Sequence, residues 1–269
     1  MEPIKPSKPS SFKFEKLYLD CIDNYGNCFI IYRAELKFHF LRFHYSALLF
    51  SDPAGIIIEK SSHKKTGEPV IKDLIIFYNH ILHLKGSWKR KIPPLPPVTL
   101  ATDRNCNLFW NCHHPMAESQ IIYNNNTYKG TGYAETLSFT MNPAGFPFDE
   151  LRWGRFLSED YVIIWLNWIG STHLNRIFCN GTEYNDAVIE EENIVFGSGS
   201  FSLNFEKRYT IRKGKLSDIL SNYPLLKLIP GNRILNSVET KYKARTALTI
   251  DNQTAATGWS LYETVIWKK

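Results

Sequence analysis

The feature that most restricts the fold of this chain is a period-two alternation of apolar and polar residues. Phe201, Leu203, Phe205, Tyr209 and Ile211 fall on one side of an extended segment, and Ser202, Asn204, Glu206, Arg208, Thr210 and Arg212 on the other. The segment Phe29 to Phe38 repeats the pattern, with Ile30, Tyr32, Ala34, Leu36 and Phe38 set against Arg33, Glu35 and Lys37. Side chains two apart share a strand face, so these segments read as antiparallel strands with one face dry. Further strands are predicted over 42–50, 54–60, 70–77, 80–88, 106–113, 118–123, 130–140, 161–169, 174–179, 184–189, 241–250 and 258–267. Tyr161 to Trp168 is apolar on both faces and rich in β-branched residues, which fits a central strand better than a helix. Helical signal is confined to Lys215–Ser221, with Ser217 as cap and Pro224 as stop. Tyr25-Gly26-Asn27 reads as a hairpin turn. Many short strands separated by turns make the predicted class all-β, a barrel or sandwich, with no visible internal sequence repeat.

A chain of 269 residues, 43% of them hydrophobic, suffices for one large β domain or two small ones. Its 17 Phe, 14 Tyr and 7 Trp are a heavy load, so some of these rings should face something other than ordinary aliphatic core. The net charge of +6 owes much to lysines near the ends (Lys5, Lys8, Lys13, Lys16, Lys268, Lys269), and Lys64-Lys65 and Lys89-Arg90-Lys91 are short. Basic and aromatic residues do not interleave regularly, so no nucleic-acid partner is expected. The five cysteines, Cys21, Cys28, Cys106, Cys112 and Cys179, are odd in number and irregularly spaced, which argues against a disulfide framework. Met1 to Ser11 is polar and proline-rich, unlike a secretion signal, and no apolar run approaches the ~18 residues that span a bilayer. The expectation is a cytoplasmic protein without a transmembrane segment. Asn125-Asn126-Thr127, Asn180-Gly181-Thr182 and Asn252-Gln253-Thr254 are therefore read as surface turns rather than glycan acceptors. Pro93-Pro94-Leu95-Pro96-Pro97 is a stiff extended loop. Asn142 to Pro147 breaks the strand pattern near the middle and either joins two domains, expected as 1–145 and 146–269, or covers a cavity mouth.

The segment Gly130-Thr131-Gly132-Tyr133-Ala134-Glu135-Thr136-Leu137-Ser138-Phe139 carries the most chemical information. Alternation puts Tyr133, Glu135, Leu137 and Phe139 on one face, so a carboxyl sits in an apolar stripe. The paired glycines signal close backbone approach, a ligand, or a bulge. A carboxyl in such a place either pairs with a cation, Arg152 or Arg155, or stays protonated because burial disfavours its charge. A neutral acid beside aromatic faces can protonate a carbon–carbon double bond and stabilise the resulting cation, by roughly 0.5–2 kcal/mol per ring. Register-fixing by a buried Glu–Arg pair is the competing reading. Glu263 poses the same question, since Trp259, Leu261, Glu263, Val265 and Trp267 share a face; it is either an ion-pair residue or a partner of the first acid. His113 and His114, near Cys106 and Cys112, lack a second ligand pair, so no metal and no cofactor are expected.

Read in order, these pieces resemble the hydroxyneurosporene synthase (carotenoid hydratase) and AttH-like family. The resemblance runs through Leu17-Tyr18-Leu19-Asp20-Cys21, Phe29-Ile30-Ile31-Tyr32, Gly86-Ser87-Trp88 and Trp110-Asn111-Cys112. It continues through Gly130–Glu135, Leu151-Arg152-Trp153-Gly154-Arg155-Phe156, Trp165, Trp168-Ile169-Gly170 and Gly258–Trp267. It implies two lipocalin-like β domains in tandem and a hydrophobic pocket. In the carotenoid hydratases a Gly-Tyr-x-Asp motif supplies the acid; Tyr133 matches its tyrosine and Glu135 its acid, with glutamate for aspartate. The family's upstream His-x-Trp falls on Leu108-Phe109-Trp110, keeping the tryptophan without the histidine, and His113 and His114 lie close by. Related lipocalin-like cyclases close rings in the same kind of pocket. The expected function is acid-assisted hydration, cyclisation or isomerisation of a polyene, isoprenoid or polyketide-type small molecule. Glu135 would be the acid and Tyr133 its positioner. Trp110, Trp153, Trp165, Phe139 and His113 would line the pocket, and Arg155 would act on the acid. The alternative is a non-catalytic carrier of a lipid or pigment.

Overall fold

The computed structural model describes residues 12–103, 106–141, 146–215, 218 and 236–267. The elements among them are all β-strands: β1 (Phe12–Ile22), β2 (Cys28–Phe38), β3 (Leu41–Ser51), β4 (Ile57–Ser62), β5 (Leu74–Asn79), β6 (Leu84–Arg90), β7 (Val98–Asp103), β8 (Cys106–Tyr123) and β9 (Asn126–Phe139), then β10 (Phe148–Leu157), β11 (Val162–Gly170), β12 (Leu174–Cys179), β13 (Thr182–Tyr184), β14 (Val188–Ile189), β15 (Asn193–Phe196), β16 (Phe201–Lys215), β17 (Val238–Ile250) and β18 (Gln253–Ile266). They form two nine-stranded sheets. The first runs β4-β3-β2-β1-β9-β8-β6-β5, with β7 also on β8; the second runs β13-β12-β11-β10-β18-β17-β16-β15-β14. Each sheet is a meander in which the first strand of the half pairs with its last. The same wiring is thus used twice, although no sequence repeat announces it. The chain divides into two compact units, the second holding 146–269 together with the tips 22–28 and 51–57.

Each sheet curls around its own core. In the first unit Leu17, Leu19, Phe29, Ile31, Leu48, Ile75, Phe77, Trp88, Ile121 and Ala134 meet in one buried cluster drawn from seven strands. In the second, Phe156, Ile163, Trp165, Ile177, Ile194, Phe196, Leu203, Ala244, Leu248 and Tyr262 do the same. Hairpin turns follow backbone chemistry. Asn124-Asn125, Asn180-Gly181 and Asp251-Asn252 each place two consecutive residues at positive φ, the signature of tight hairpins that Asn, Asp and Gly tolerate. At Tyr25-Gly26-Asn27, Asp23 Oδ1 accepts the Tyr25 and Asn27 amides, both at 2.9 Å, and Gly26 takes φ +91°.

Two differences from the predicted strands bear on the site. The segments 106–113 and 118–123 are one strand, β8, whose register shifts at His114. Pro115, which has no amide hydrogen to give a ladder, sits in that irregularity. The proline-rich segment runs beside it: the Lys91 amide donates to Met116 O at 2.9 Å and the Leu95 amide to Cys112 O at 3.1 Å. It thereby carries the chain from β6, paired with one half of β8, to β7, paired with the other. In the second unit, the predicted strand 184–189 is split between β13 and β14, and Asp186 between them accepts the Gly197 amide at 3.1 Å. Residues 216, 217 and 219–221 of the predicted helix, and Asn142 to Gly145, lie outside the described residues.

Candidate active site

Ala134 packs in the first core, so Tyr133 and Glu135 project from the opposite face of β9. That face is also closed: Tyr133 is fully buried and Glu135 is 4% exposed. β9 lies between β1 and β8. From β8, Cys112 stands directly across from Glu135, and Trp110 is the next residue on that side. From β1, the Tyr18 ring meets that of Tyr133 at 6.0 Å and that of Tyr32 at 5.4 Å. Gly132 makes this approach possible. A Cβ there would lie 2.4 Å from the Asp20 carbonyl oxygen and 2.1 Å from Ser119 Oγ, so a side chain would prise β9 from β1.

Two donors converge on one oxygen of Glu135. The Tyr133 hydroxyl donates to Oε2 at 2.7 Å, and the Trp110 indole N–H donates to the same atom. Burial raises the Glu135 pKa; Lys16 and these two bonds oppose it, and Asp20 adds to it. In its neutral form the acid would have Oε2 as carbonyl oxygen and the proton on Oε1, because an indole N–H can only donate. Burial, with Cys112 and Glu135 alongside, also pushes the Tyr133 hydroxyl well above its usual range, so it stays a donor. The Cys112 thiol hydrogen-bonds Tyr133, and burial raises its pKa as well.

The predicted site residues fall into two groups. Glu135, Tyr133 and Trp110 are in direct contact. Phe139 lies farther along β9 and stacks on Phe12 at 5.7 Å. His113 points elsewhere: its Nε2 shares a 2.8 Å hydrogen bond with Thr136 Oγ1, and burial lowers its pKa to about 4. The fully buried His114 contacts Lys72 O through Nε2 at 2.7 Å.

The remaining predicted residues belong to the second unit. Trp165 is part of its core, seated where a Cβ on Gly154 would be 2.3 Å from the indole. Trp153 is buried opposite Glu263 across β10 and β18. Arg152 Nε donates to Glu150 Oε1 at 2.6 Å and Arg155 Nη1 to Trp259 O at 3.3 Å, while Lys16 acts on Glu135 within the first unit. An arginine's five donors need several acceptors, and backbone carbonyls of its own sheet supply one here. Glu263 is an ion-pair residue: it binds Lys241, which also binds Glu239 at 2.8 Å, and Glu239 binds Arg212.

Sequence reasoning passed over Asp20 and Lys16. The signal for Asp20 was the one that singled out Glu135, an acid inside the apolar run Leu17–Ile22. Fully buried, it acts on both Glu135 and Cys112. Lys16 also lies over the Tyr32 ring at 5.4 Å. At the matching strand of the second unit this constellation is not repeated among the described residues. Gly258 abuts the Leu157 carbonyl oxygen as Gly132 abuts that of Asp20, at 2.2 Å for a built Cβ. Counting from the two glycines, the place of Tyr133 is taken by Trp259 and that of Glu135 by Leu261.

Two curled antiparallel sheets in tandem, each closing its first strand on its last, are the fold of the tandem lipocalin-like proteins. Among solved structures the chain is similar to CghA in complex with Sch210972, with a TM-score of 0.61 and 9% identity over 96% of this chain and 89% of that one. It is similar to kievitone hydratase from Nectria haematococca, with a TM-score of 0.57 and 9% identity over 98% and 91%. It is also similar to an AttH-like protein from Nitrosomonas europaea, with a TM-score of 0.50 and 10% identity over 97% and 98%. At such identities the likeness establishes the fold. No family model and no curated protein sequence matches the chain. Among the described residues no helix is long and apolar enough to cross a membrane.

Proposed function

We propose that the chain is an enzyme in which Glu135 protonates a carbon–carbon double bond of a hydrophobic polyene, isoprenoid or polyketide-type molecule. The observation that carries this reading is the convergence of Trp110 and Tyr133 on Glu135 Oε2 in a buried layer. The Oε1–H proton goes to one alkene carbon; the π pair forms the new C–H bond, and the O–H pair stays on the carboxylate. The adjacent carbon becomes cationic. Water addition, ring closure or proton loss then consumes the cation, and the proton released reloads Glu135. The two donors stabilise the carboxylate as its charge develops, which lowers the barrier more than it stabilises the resting acid. The Tyr18, Tyr32, Tyr133 and Trp110 rings offer faces to the cation. Kievitone hydratase shares this fold, and its name denotes hydration chemistry on a small molecule.

The test combines a spectroscopic and a chemical measurement. Infrared difference spectra of wild type against Glu135→Gln should contain a protonated-carboxyl band at neutral pH. In deuterated water, candidate polyenes should gain carbon-bound deuterium with wild type and none with Glu135→Gln, while both proteins quench against bound ligand alike. A carboxylate band at neutral pH, or equal deuterium incorporation by the variant, would sink the acid. Tight binding by wild type without deuterium incorporation returns the carrier reading.

A further inference from the structure

The outer face of β5 carries a row of exposed apolar residues. The strand alternates strictly: Ile75, Phe77 and Asn79 are buried, whereas Leu74, Ile76 and Tyr78 are 47%, 54% and 64% exposed. Exposed Val70 and Ile71 lead into it. Isolated surface apolar residues are ordinary, but a row of them signals a partner. The row is flanked by positive charge. Across the β5–β6 pair, Leu74 faces Lys89, Ile76 faces Ser87 and Tyr78 faces Lys85. Both lysines are exposed, as are Lys64, Lys65 and Lys72 on the connection into β5. Of the nearby acids, Asp73 is paired with Arg90, Glu68 with Arg33 at 2.8 Å, and Glu118 lies across from Lys89. A groove of about 280 Å³ borders the row, lined by Lys65, Pro69, Ile76, Tyr78 and His80 among others.

From this juxtaposition we infer that the β5 face docks on the surface of an anionic lipid bilayer. Leu74, Ile76 and Tyr78 enter the boundary between headgroups and acyl chains, where a tyrosine's amphipathic ring is favoured. The lysines reach lipid phosphates while their stems stay on apolar surface. A second copy of this chain fits the surface less well. A two-fold contact through this face would bring Lys85 and Lys89 of one copy close to those of the other. The inference is independent of the chemistry at Glu135.

The test is co-sedimentation of the full chain with phosphatidylserine-containing and pure phosphatidylcholine vesicles, in low and high salt. Wild type should partition onto the anionic vesicles, and less so in high salt. Leu74→Ser, Ile76→Ser and Tyr78→Ser combined should weaken partitioning by about tenfold or more, and Lys85→Glu with Lys89→Glu should abolish the anionic preference. Unchanged melting curves would show that both variants fold. All five side chains point outward, so the fold does not depend on them. Absence of partitioning, equal partitioning onto both vesicle types, or an unaffected triple variant overturns the inference. So does a concentration-dependent dimer that the triple substitution dissolves without any vesicle binding, which would assign the face to a second copy.

Discussion

Glu135 and His113 lie on neighbouring strands, and burial moves their proton affinities in opposite directions because it disfavours charge in both. The carboxyl is raised above its usual 4.5 and the imidazole lowered from 6.5 to about 4. Opposite stability signatures follow. The folded state binds the Glu135 proton more tightly than the unfolded state, so this contribution is full in acid and fades as pH rises through the folded pKa. Relative to Glu135→Gln, wild type should therefore lose stability on going from acid to neutral pH, measured as urea midpoints across a pH series. For His113 the unfolded chain binds the proton more tightly. Its contribution is full above pH 6.5 and disappears as pH falls towards about 4. His113→Gln should flatten that acid limb and leave the midpoint at pH 8 less pH-dependent than changes at Glu135 do. A limb of unchanged steepness would mean that His113 is solvated.

At the scale of the strand, the position of Glu135 depends on Gly132. A methyl group there meets backbone, the Asp20 carbonyl oxygen, which cannot rotate away. Gly132→Ala should cost about 1–3 kcal/mol in urea unfolding, as overpacked cores do, whereas Gly67→Ala, with open space around its Cβ, should be neutral. The ion cluster joining β16, β17 and β18 makes a second expectation. Lys241→Met leaves Glu239 and Glu263 in a largely buried place with one cation fewer, and should cost about 3–5 kcal/mol. Adding Glu263→Gln should restore a good part of that. These strands also show what the sequence could convey. The predicted bounds lie close to those of β2, β11, β12 and β16: alternation marks β2 and most of β16, and a run apolar on both faces marks β11. Alternation missed β10, where Glu150, Arg152 and Arg155 break the apolar rhythm, and β1, whose first half carries Lys13, Glu15 and Lys16. Glu135, Tyr133 and Trp110 were legible as a group because an acid on a dry face is conspicuous. The ion partners were not, since an arginine's choice among carboxylates and carbonyls is settled by tertiary geometry alone.

At the scale of the molecule, the repeated wiring suggests two halves cut at one point, yet the second unit also contains the tips 22–28 and 51–57. Lys243 explains why these tips matter to it. Buried at 2% exposure, its ammonium donates to Gly26 O at 2.8 Å, Asp52 O at 3.1 Å and Ser51 Oγ at 3.2 Å. Burial lowers its pKa even with these acceptors present. Gly26 also packs so tightly that a Cβ on it would lie 2.9 Å from the Trp259 ring. A fragment comprising 146–269 lacks all three acceptors. Its ammonium must then be hydrated by opening the sheet locally or be lost as a proton, and an uncompensated buried charge costs several kcal/mol. The fragment should therefore unfold at a clearly lower urea concentration than the same strands in the intact chain, and β17 amides should exchange faster in it. Lys243→Met separates this cause from mere shortening: it should destabilise the intact chain, where three hydrogen bonds are lost, and stabilise the fragment, where a stranded charge is removed. The same sign of change in both proteins would mean that Lys243 is an ordinary packing residue and that the tips contribute through apolar contact alone.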